Sequence, residues 1–185
     1  MRITGGKYVR RQVQCPPGVI RPAMDRMRES LFSILGDLSG LSFLDLYSGS
    51  GCVAIEAASR GADPVHLVEM DRGKKATIEK NLSFVEENHR LFMMDALRFL
   101  SSGMWRYSIV YADPPFPMEN KISILQAADK GNAVKDSGLF IIHIPTEERK
   151  LWPETEGSFS LTDERKYGRS ILLFYRKEAK DVQNR

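Results

Sequence analysis

The sequence predicts an α/β fold, a mostly parallel sheet with helices on both faces. Three observations predict it. From residue 42 onward, short apolar runs alternate with stretches of helical periodicity. A glycine-rich turn, Tyr47-Ser48-Gly49-Ser50-Gly51, follows the first of those runs. The last two runs are joined through Tyr167-Gly168-Arg169 with no helix between them. Alternating strand and helix gives crossovers and parallel neighbours, whereas a direct turn gives an antiparallel pair.

The elements follow in order. Arg2 to Gln14 alternates around Ile3, Tyr8, Val9 and Val13, broken at Gly5-Gly6, which predicts a short hairpin. Cys15-Pro16-Pro17-Gly18 is a loop, because proline fixes φ and glycine permits a turn. Met24, Met27, Leu31, Ile34, Leu35 and Leu38 recur at helical spacing, predicting an amphipathic helix over Asp25–Leu38 with Arg21, Arg26 and Arg28 near its start. Strands are then expected at 42–47, 64–69, 90–93, 108–112 and 139–144, and helices at 53–60, 72–84, 96–100 and 122–130. Phe159–Leu161 and Ile171–Tyr175 form the antiparallel pair.

A chain of 185 residues that is 42% hydrophobic can bury one core. It reads as a single domain, with a basic N-terminal extension over 1–38 and a catalytic core over 39–185. No run approaches the roughly 20 apolar residues of a membrane span. The start, MRITGGKYVRRQVQ, has no apolar segment of a secretory signal, so a cytoplasmic protein is expected. The cysteines Cys15 and Cys52 and the histidines His66, His89 and His143 have no metal-ligand spacing, and no metal is expected. The net charge of +3 is uneven. Seven basic residues in 1–29 (Arg2, Lys7, Arg10, Arg11, Arg21, Arg26 and Arg28) against Asp25 and Glu29 give +5 there and −2 over the remainder. A basic end on a near-neutral body suits contact with a polyanion.

Two constellations carry chemistry. Gly49-Ser50-Gly51, with Ala54 after two more residues, fits G-x-G-x-x-A between a strand and a helix, where backbone can approach a ligand at a helix N-terminus. Glu69 ends the next strand, placed to accept hydrogen bonds from both hydroxyls of a ribose. Asp45 ahead of the glycines would repel a pyrophosphate, so a cationic ligand with a ribose fits better than a dinucleotide. S-adenosylmethionine has that character. Asp45, Ser48, Gly49 and Gly51 would floor its site, Asp95 would meet the adenine amino group, and Met70 would cover the adenine face.

The second constellation is Asp113-Pro114-Pro115-Phe116 after the fourth strand of the alternation. Two prolines make a rigid turn without N–H donors. The Asp113 carboxylate and the Pro114 carbonyl can then accept both hydrogens of an exocyclic amine, turning its lone pair toward a sulfonium methyl. That is catalysis by positioning, with charge on the nitrogen stabilised by the acceptors. Phe116 would stack on the extruded base. Cys52, at the start of a helix, stands without a second cysteine or a general acid and is read as a packing residue.

These residues resemble the class I, Rossmann-like SAM-dependent methyltransferases that act on amino groups through (Asn/Asp)-Pro-Pro-(Phe/Tyr). More closely, the chain resembles the RsmD family of bacterial 16S rRNA (guanine-N2)-methyltransferases. The resemblance runs from Arg2-Ile3-Thr4-Gly5-Gly6-Lys7 through Arg21-Pro22-Ala23-Met24-Asp25-Arg26-Met27-Arg28-Glu29 to DLYSGSG, Val68-Glu69-Met70-Asp71, ADPPF and Tyr167-Gly168. Tyr47 and Ser48 stand where Phe and Ala are commoner, and Ala23 where Thr is usual. The family implies a seven-stranded sheet with an antiparallel C-terminal strand and a small N-terminal extension. It implies S-adenosylmethionine as methyl donor, and Asp113, Pro114, Pro115 and Phe116 as the base-holding set. It implies as partner a guanine of 16S rRNA in the small subunit or an assembly intermediate, gripped by the basic N-terminal residues; a monomer with no membrane contact is expected. The rivals are an adenine-N6 DNA methyltransferase, which lacks an insertion here for reading sequence, a non-catalytic ribosome-assembly factor, and an NAD-dependent dehydrogenase.

Overall fold

The computed structural model describes residues 1–15 and 22–179, with residues 22–24 in their backbone only. Helix α1 (Pro22–Leu35) is followed by strand β1 (Phe43–Leu46), α2 (Cys52–Ser59), β2 (Val65–Val68), α3 (Lys75–Leu82), β3 (His89–Phe92), α4 (Ala96–Ser101), β4 (Tyr107–Ala112), α5 (Ile122–Lys130) and β5 (Val134–Pro145). Strands β6 (Thr155–Glu156), β7 (Phe159–Tyr167) and β8 (Ser170–Lys177) close the fold. The sheet order is β3-β2-β1-β4-β5-β8-β7-β6. The first five strands in that order are parallel, and β8, β7 and β6 are antiparallel to their neighbours. Eight strands stand where seven were expected, and the added one is two residues long, too short to leave a pattern.

Alternation along β1 divides the core. Leu44 and Leu46 pack with α4 and α5 residues such as Leu100 and Leu125. Phe43 packs on the other face with Phe32 of α1 and Ile55 of α2. All four β1 residues are buried, so Asp45 places a carboxylate where a strand of a covered parallel sheet is ordinarily apolar. The order reverses beside β1, with β2 on one side and β4 on the other. The carboxyl ends of strands at such a switch point frame a crevice.

The periodicity placed the α1 end three residues late. Leu38 is buried beyond the helix, and its N–H donates to the Arg60 carbonyl at 3.0 Å. Strand β5 begins five residues earlier than its apolar run, because Lys135-Asp136-Ser137 interrupts the pattern and the register shifts between Tyr107 and Ile109 of its partner. The expected N-terminal hairpin reduces to one antiparallel bridge, Arg2–Gln12, supported by Ile3 N–H to Arg11 O at 3.0 Å and Arg10 N–H to Ile3 O at 2.9 Å. Its side chains Ile3, Tyr8 and Val13 are buried in the α1–α2–α3 core.

Candidate active site

A cleft of about 410 Å³ opens at the carboxyl ends of β1 to β4, lined among others by Tyr47, Glu69, Met70, Asp95, Pro115 and Met118. Four of these were singled out from sequence: Glu69, Met70, Asp95 and Pro115. Glu69 is 7% exposed; its Oε2 accepts the Gly49 N–H and its Oε1 the Asp71 N–H, both at 2.9 Å. Lys74 stands 3.6 Å from Oε2. The carboxylate thus joins the glycine turn to the end of β2 and still has acceptor capacity toward the cleft. Asp95 caps α4, Oδ1 accepting the Arg98 N–H at 2.9 Å, and Met70 is exposed.

The other residues of the glycine turn lie behind that wall. The Ser48 hydroxyl donates to the Asp45 carbonyl at 2.7 Å, so its side chain braces the turn. Asp45 is buried, and Oδ2 accepts the Ala54 N–H at 3.2 Å. Burial pushes its carboxyl well above the ordinary range, with the negative charges of Asp113 and Glu69 adding to the rise and the Ala54 bond opposing it. Gly51 has φ +78, and a Cβ there would come within 3.1 Å of Leu67 Cδ2. Only glycine supplies that start to α2 without strain. Buried Asn81 of α3 holds the turn from below, its amide donating to the carbonyls of Ser50 and Gln14 at 2.8 Å.

Asp113 stands at the end of β4, where Oδ1 pairs with His143 Nδ1 at 2.8 Å. Phe116 packs against the same imidazole, with ring centroids 5.2 Å apart. Pro115 and Met118 belong to the 410 Å³ cleft, while Phe116 and Met118 line a second cleft with Trp152 and Leu151. The turn from Asp113 to Met118 therefore forms the partition between two hollows. Lys121, 3% exposed, fixes that partition by donating to the carbonyls of Phe116 and Met118 at 2.8 Å and to Glu148 Oε1 at 2.7 Å. Burial pushes the Cys52 thiol up to about 12, which keeps it protonated and poorly nucleophilic.

A family described as Conserved hypothetical protein 95 matches residues 1–176. Ribosomal RNA small subunit methyltransferase D of Escherichia coli (strain K12) is 33% identical over 186 residues, covering 97% of this chain and 91% of that protein. YlbH of Bacillus subtilis (strain 168) is 31% identical and covers 96% and 99%. The solved structure of yhhF from Escherichia coli superposes with a TM-score of 0.85 at 31% identity, covering 97% of this chain and 99% of that one. The chain belongs to the RsmD family.

The amino-terminal segments that carry the RsmD resemblance are built into the fold. Gly6 has φ +77, and a Cβ would fall 1.8 Å from the Ser59 carbonyl oxygen. Glu56 of α2, fully buried, accepts the N–H groups of Thr4 and Gly5 at 2.9–3.1 Å and the Thr4 hydroxyl at 2.6 Å. Arg28 is 5% exposed, with Nε 3.6 Å from Glu56 and Nη1 3.0 Å from Asp25. It serves the interior, not the basic face expected of it. Lys7 pairs with Glu86 and Glu87. Arg2, Arg10, Arg11 and Arg26 are exposed, and Arg21 lies outside the described residues.

His143 and Lys121 were missed from sequence. Metal-ligand spacing does not single out His143; its signal is an imidazole within the apolar run LFIIHIP. Nothing marks Lys121 locally, since its partners are backbone carbonyls and a glutamate 27 residues on.

Proposed function

We propose that this protein transfers a methyl group from S-adenosylmethionine to the exocyclic N2 of a guanine in small-subunit rRNA. One observation carries the reading. The Asp-Pro-Pro-Phe turn supplies Pro115 to the wall of a cleft whose other walls include Glu69, Met70 and Asp95. The printed name of the Escherichia coli relative adds the substrate class, small-subunit rRNA.

The residues fit the group. A cleft of about 410 Å³ is within the range of small-ligand sites, roughly 300–1,000 Å³. Its carboxylates suit the hydroxyls and amino groups of a nucleoside and the positive charge of a sulfonium. When bound, S-adenosylmethionine supplies an electrophilic methyl. Glu69 would hold the ribose hydroxyls, Asp95 the adenine amine, and Met70 the adenine face. Asp45, Ser48, Gly49 and Gly51 would shape the floor without meeting the ligand through their side chains, apart from the charge of Asp45.

At the partition itself, Asp113 and the Pro114 carbonyl would accept the hydrogens of the guanine amine at the edge of the donor cleft, and Phe116 would stack on the base. Aligning a nucleophile this way lowers the entropic part of the barrier. Of the amino-terminal basic residues, Arg2, Arg10, Arg11 and Arg26 are exposed and would meet RNA phosphates.

The test is transfer of labelled methyl from S-adenosylmethionine to small subunits lacking the modification, followed by nucleoside analysis. N2-methylguanosine in 16S rRNA is the expected product. Label in adenine would keep the amine chemistry and overturn the base assignment, and absence of label despite binding of the donor would favour an assembly factor.

A further inference from the structure

The Asp113–His143 pair asks for an explanation. Strands β4 and β5 are parallel neighbours, with Ala112 opposite Ile142. The next residue on each strand is Asp113 and His143, so the pairing that ends β4 brings these side chains together. His143 is 3% exposed, with Phe116 on one side of its ring and Leu172 of β8 as its cross-strand partner. The Asp113 side chain is 21% exposed. One end of the pair is thus sealed in the sheet, and the other reaches the surface beside the cleft partition.

Apolar residues occupy the neighbouring buried positions on the same face of the sheet, Ile141 of β5 and Leu172 of β8. The imidazole instead leaves Nε2 buried with no hydrogen-bond partner among the described residues. Burying such a group is unfavourable, so its retention points to the other nitrogen.

We propose that His143 is a positioning residue for methyl transfer, holding Asp113 by an Nδ1–H to Oδ1 hydrogen bond so that Oδ2 faces the amine of the target base. The inference rests on the function proposed above. A carboxylate oxygen only accepts, so Nδ1 carries the hydrogen of this bond. Fixing Oδ1 stops rotation of the carboxylate about its terminal torsion, which is otherwise broad. The acceptor left over is then single and directed. The pinned imidazole also presents its ring to Phe116, so one side chain sets both the hydrogen-bond acceptor and the stacking face. The proton displaced from N2 as it takes the methyl would pass to solvent by way of the Asp113 carboxylate, whose side chain is 21% exposed, so the Nδ1–H and the carboxylate end the reaction as they began.

Two substitutions separate positioning from packing. His143→Asn puts an amide N–H near the place of Nδ1 and keeps the donor. His143→Leu keeps an apolar filler and removes the donor. The readouts are kcat and KM on unmodified small subunits, donor affinity by calorimetry, and Tm.

For H143L the expected result is a fall in kcat of about 10- to 100-fold, the scale of a misplaced reacting group, with KM and donor affinity near wild type. H143N recovers most of kcat. If H143L fails to fold, His143→Gln replaces it, because its amide sits near Nε2 and cannot reach Asp113. Wild-type kcat in H143L or H143Q, or loss in H143N as deep as in the donor-less variant, overturns the proposal. Wild type that transfers no methyl to guanine overturns the function and this inference with it, whereas an active wild type with an equally active H143L overturns the inference alone.

Discussion

Glu69 and Gly49 are joined by a 2.9 Å hydrogen bond from the glycine's N–H to Oε2, which ties the turn after β1 to the end of β2. The second oxygen of the same carboxylate takes the Asp71 N–H. Two turns that frame the cleft are therefore held by one side chain.

Glu69→Gln keeps the shape but sets an amide N–H against a backbone N–H on one side. Hydrogen bonds to charged groups contribute roughly 1.5–3 kcal/mol. Donor affinity should fall about 10- to 100-fold, as isothermal titration would read it. Unchanged affinity would remove Glu69 from the binding set.

Asp113→Ala removes the proposed amine acceptor while leaving the glycine turn and Glu69 untouched. Methyl transfer should be lost, with donor affinity within a few fold of wild type. Joint loss of both would show that Asp113 belongs to the cofactor site instead.

Asp45→Asn makes a pH-dependent prediction. The folded state raises the Asp45 carboxyl above its unfolded value of about 3.9. A raised group contributes stability that is present below the unfolded value and lost as pH rises through the folded one. Above the unfolded value the buried carboxyl therefore costs stability, whether it is held protonated or ionised, and the amide, which still accepts the Ala54 N–H, removes that cost. Melting curves should place the variant a few degrees above wild type near pH 7.5, with the gap closing toward pH 4. A gap independent of pH would contradict this. Weaker donor binding in the more stable variant would identify the carboxylate as retained for function.

Gly6→Ala tests the close approach of the extension to α2. With φ +77 and a Cβ 1.8 Å from the Ser59 oxygen, either the loop or α2 must move. A destabilisation of about 3 kcal/mol or more is expected, equivalent to a Tm drop of roughly 6–12 °C for a domain of this size. A wild-type Tm would mean the loop adjusts freely.

Charge reversal of Arg10 and Arg11 addresses the RNA contact. Binding to small-subunit RNA should weaken and its salt slope fall by about 2, with donor affinity unchanged. Unaltered RNA affinity would remove these two from the interface.

Much of the fold was legible because burial in a parallel sheet leaves apolar runs that local reading detects. Phe43–Leu46 and Val65–Val68, buried at every position, are such runs. The candidate site was legible where a charged residue interrupts that apolar pattern, as for Asp45 within β1 and Glu69 just after β2. Charge gave no guide to burial at Arg28, whose partner Glu56 lies 28 residues away in sequence. Lys7 stays exposed, but its pairing with Glu86 and Glu87, some 80 residues on, is equally invisible to a local reading. The imidazole of His143 acquires meaning only when β5 is laid next to β4, a pairing no local window contains.

The contacts of the amino-terminal segment also set an order of events in synthesis. Thr4 waits for Glu56, Gln14 for Asn81, and Tyr8 for Glu87. Residues 3–14 leave the ribosome well before any of these partners, with Ile3, Tyr8 and Val13 still in water. Contacts so distant in sequence close late and slow folding. Residues 3–14 thus gain their full set of partners only once residue 87 has emerged, and they lie over α2 and α3 as a clasp.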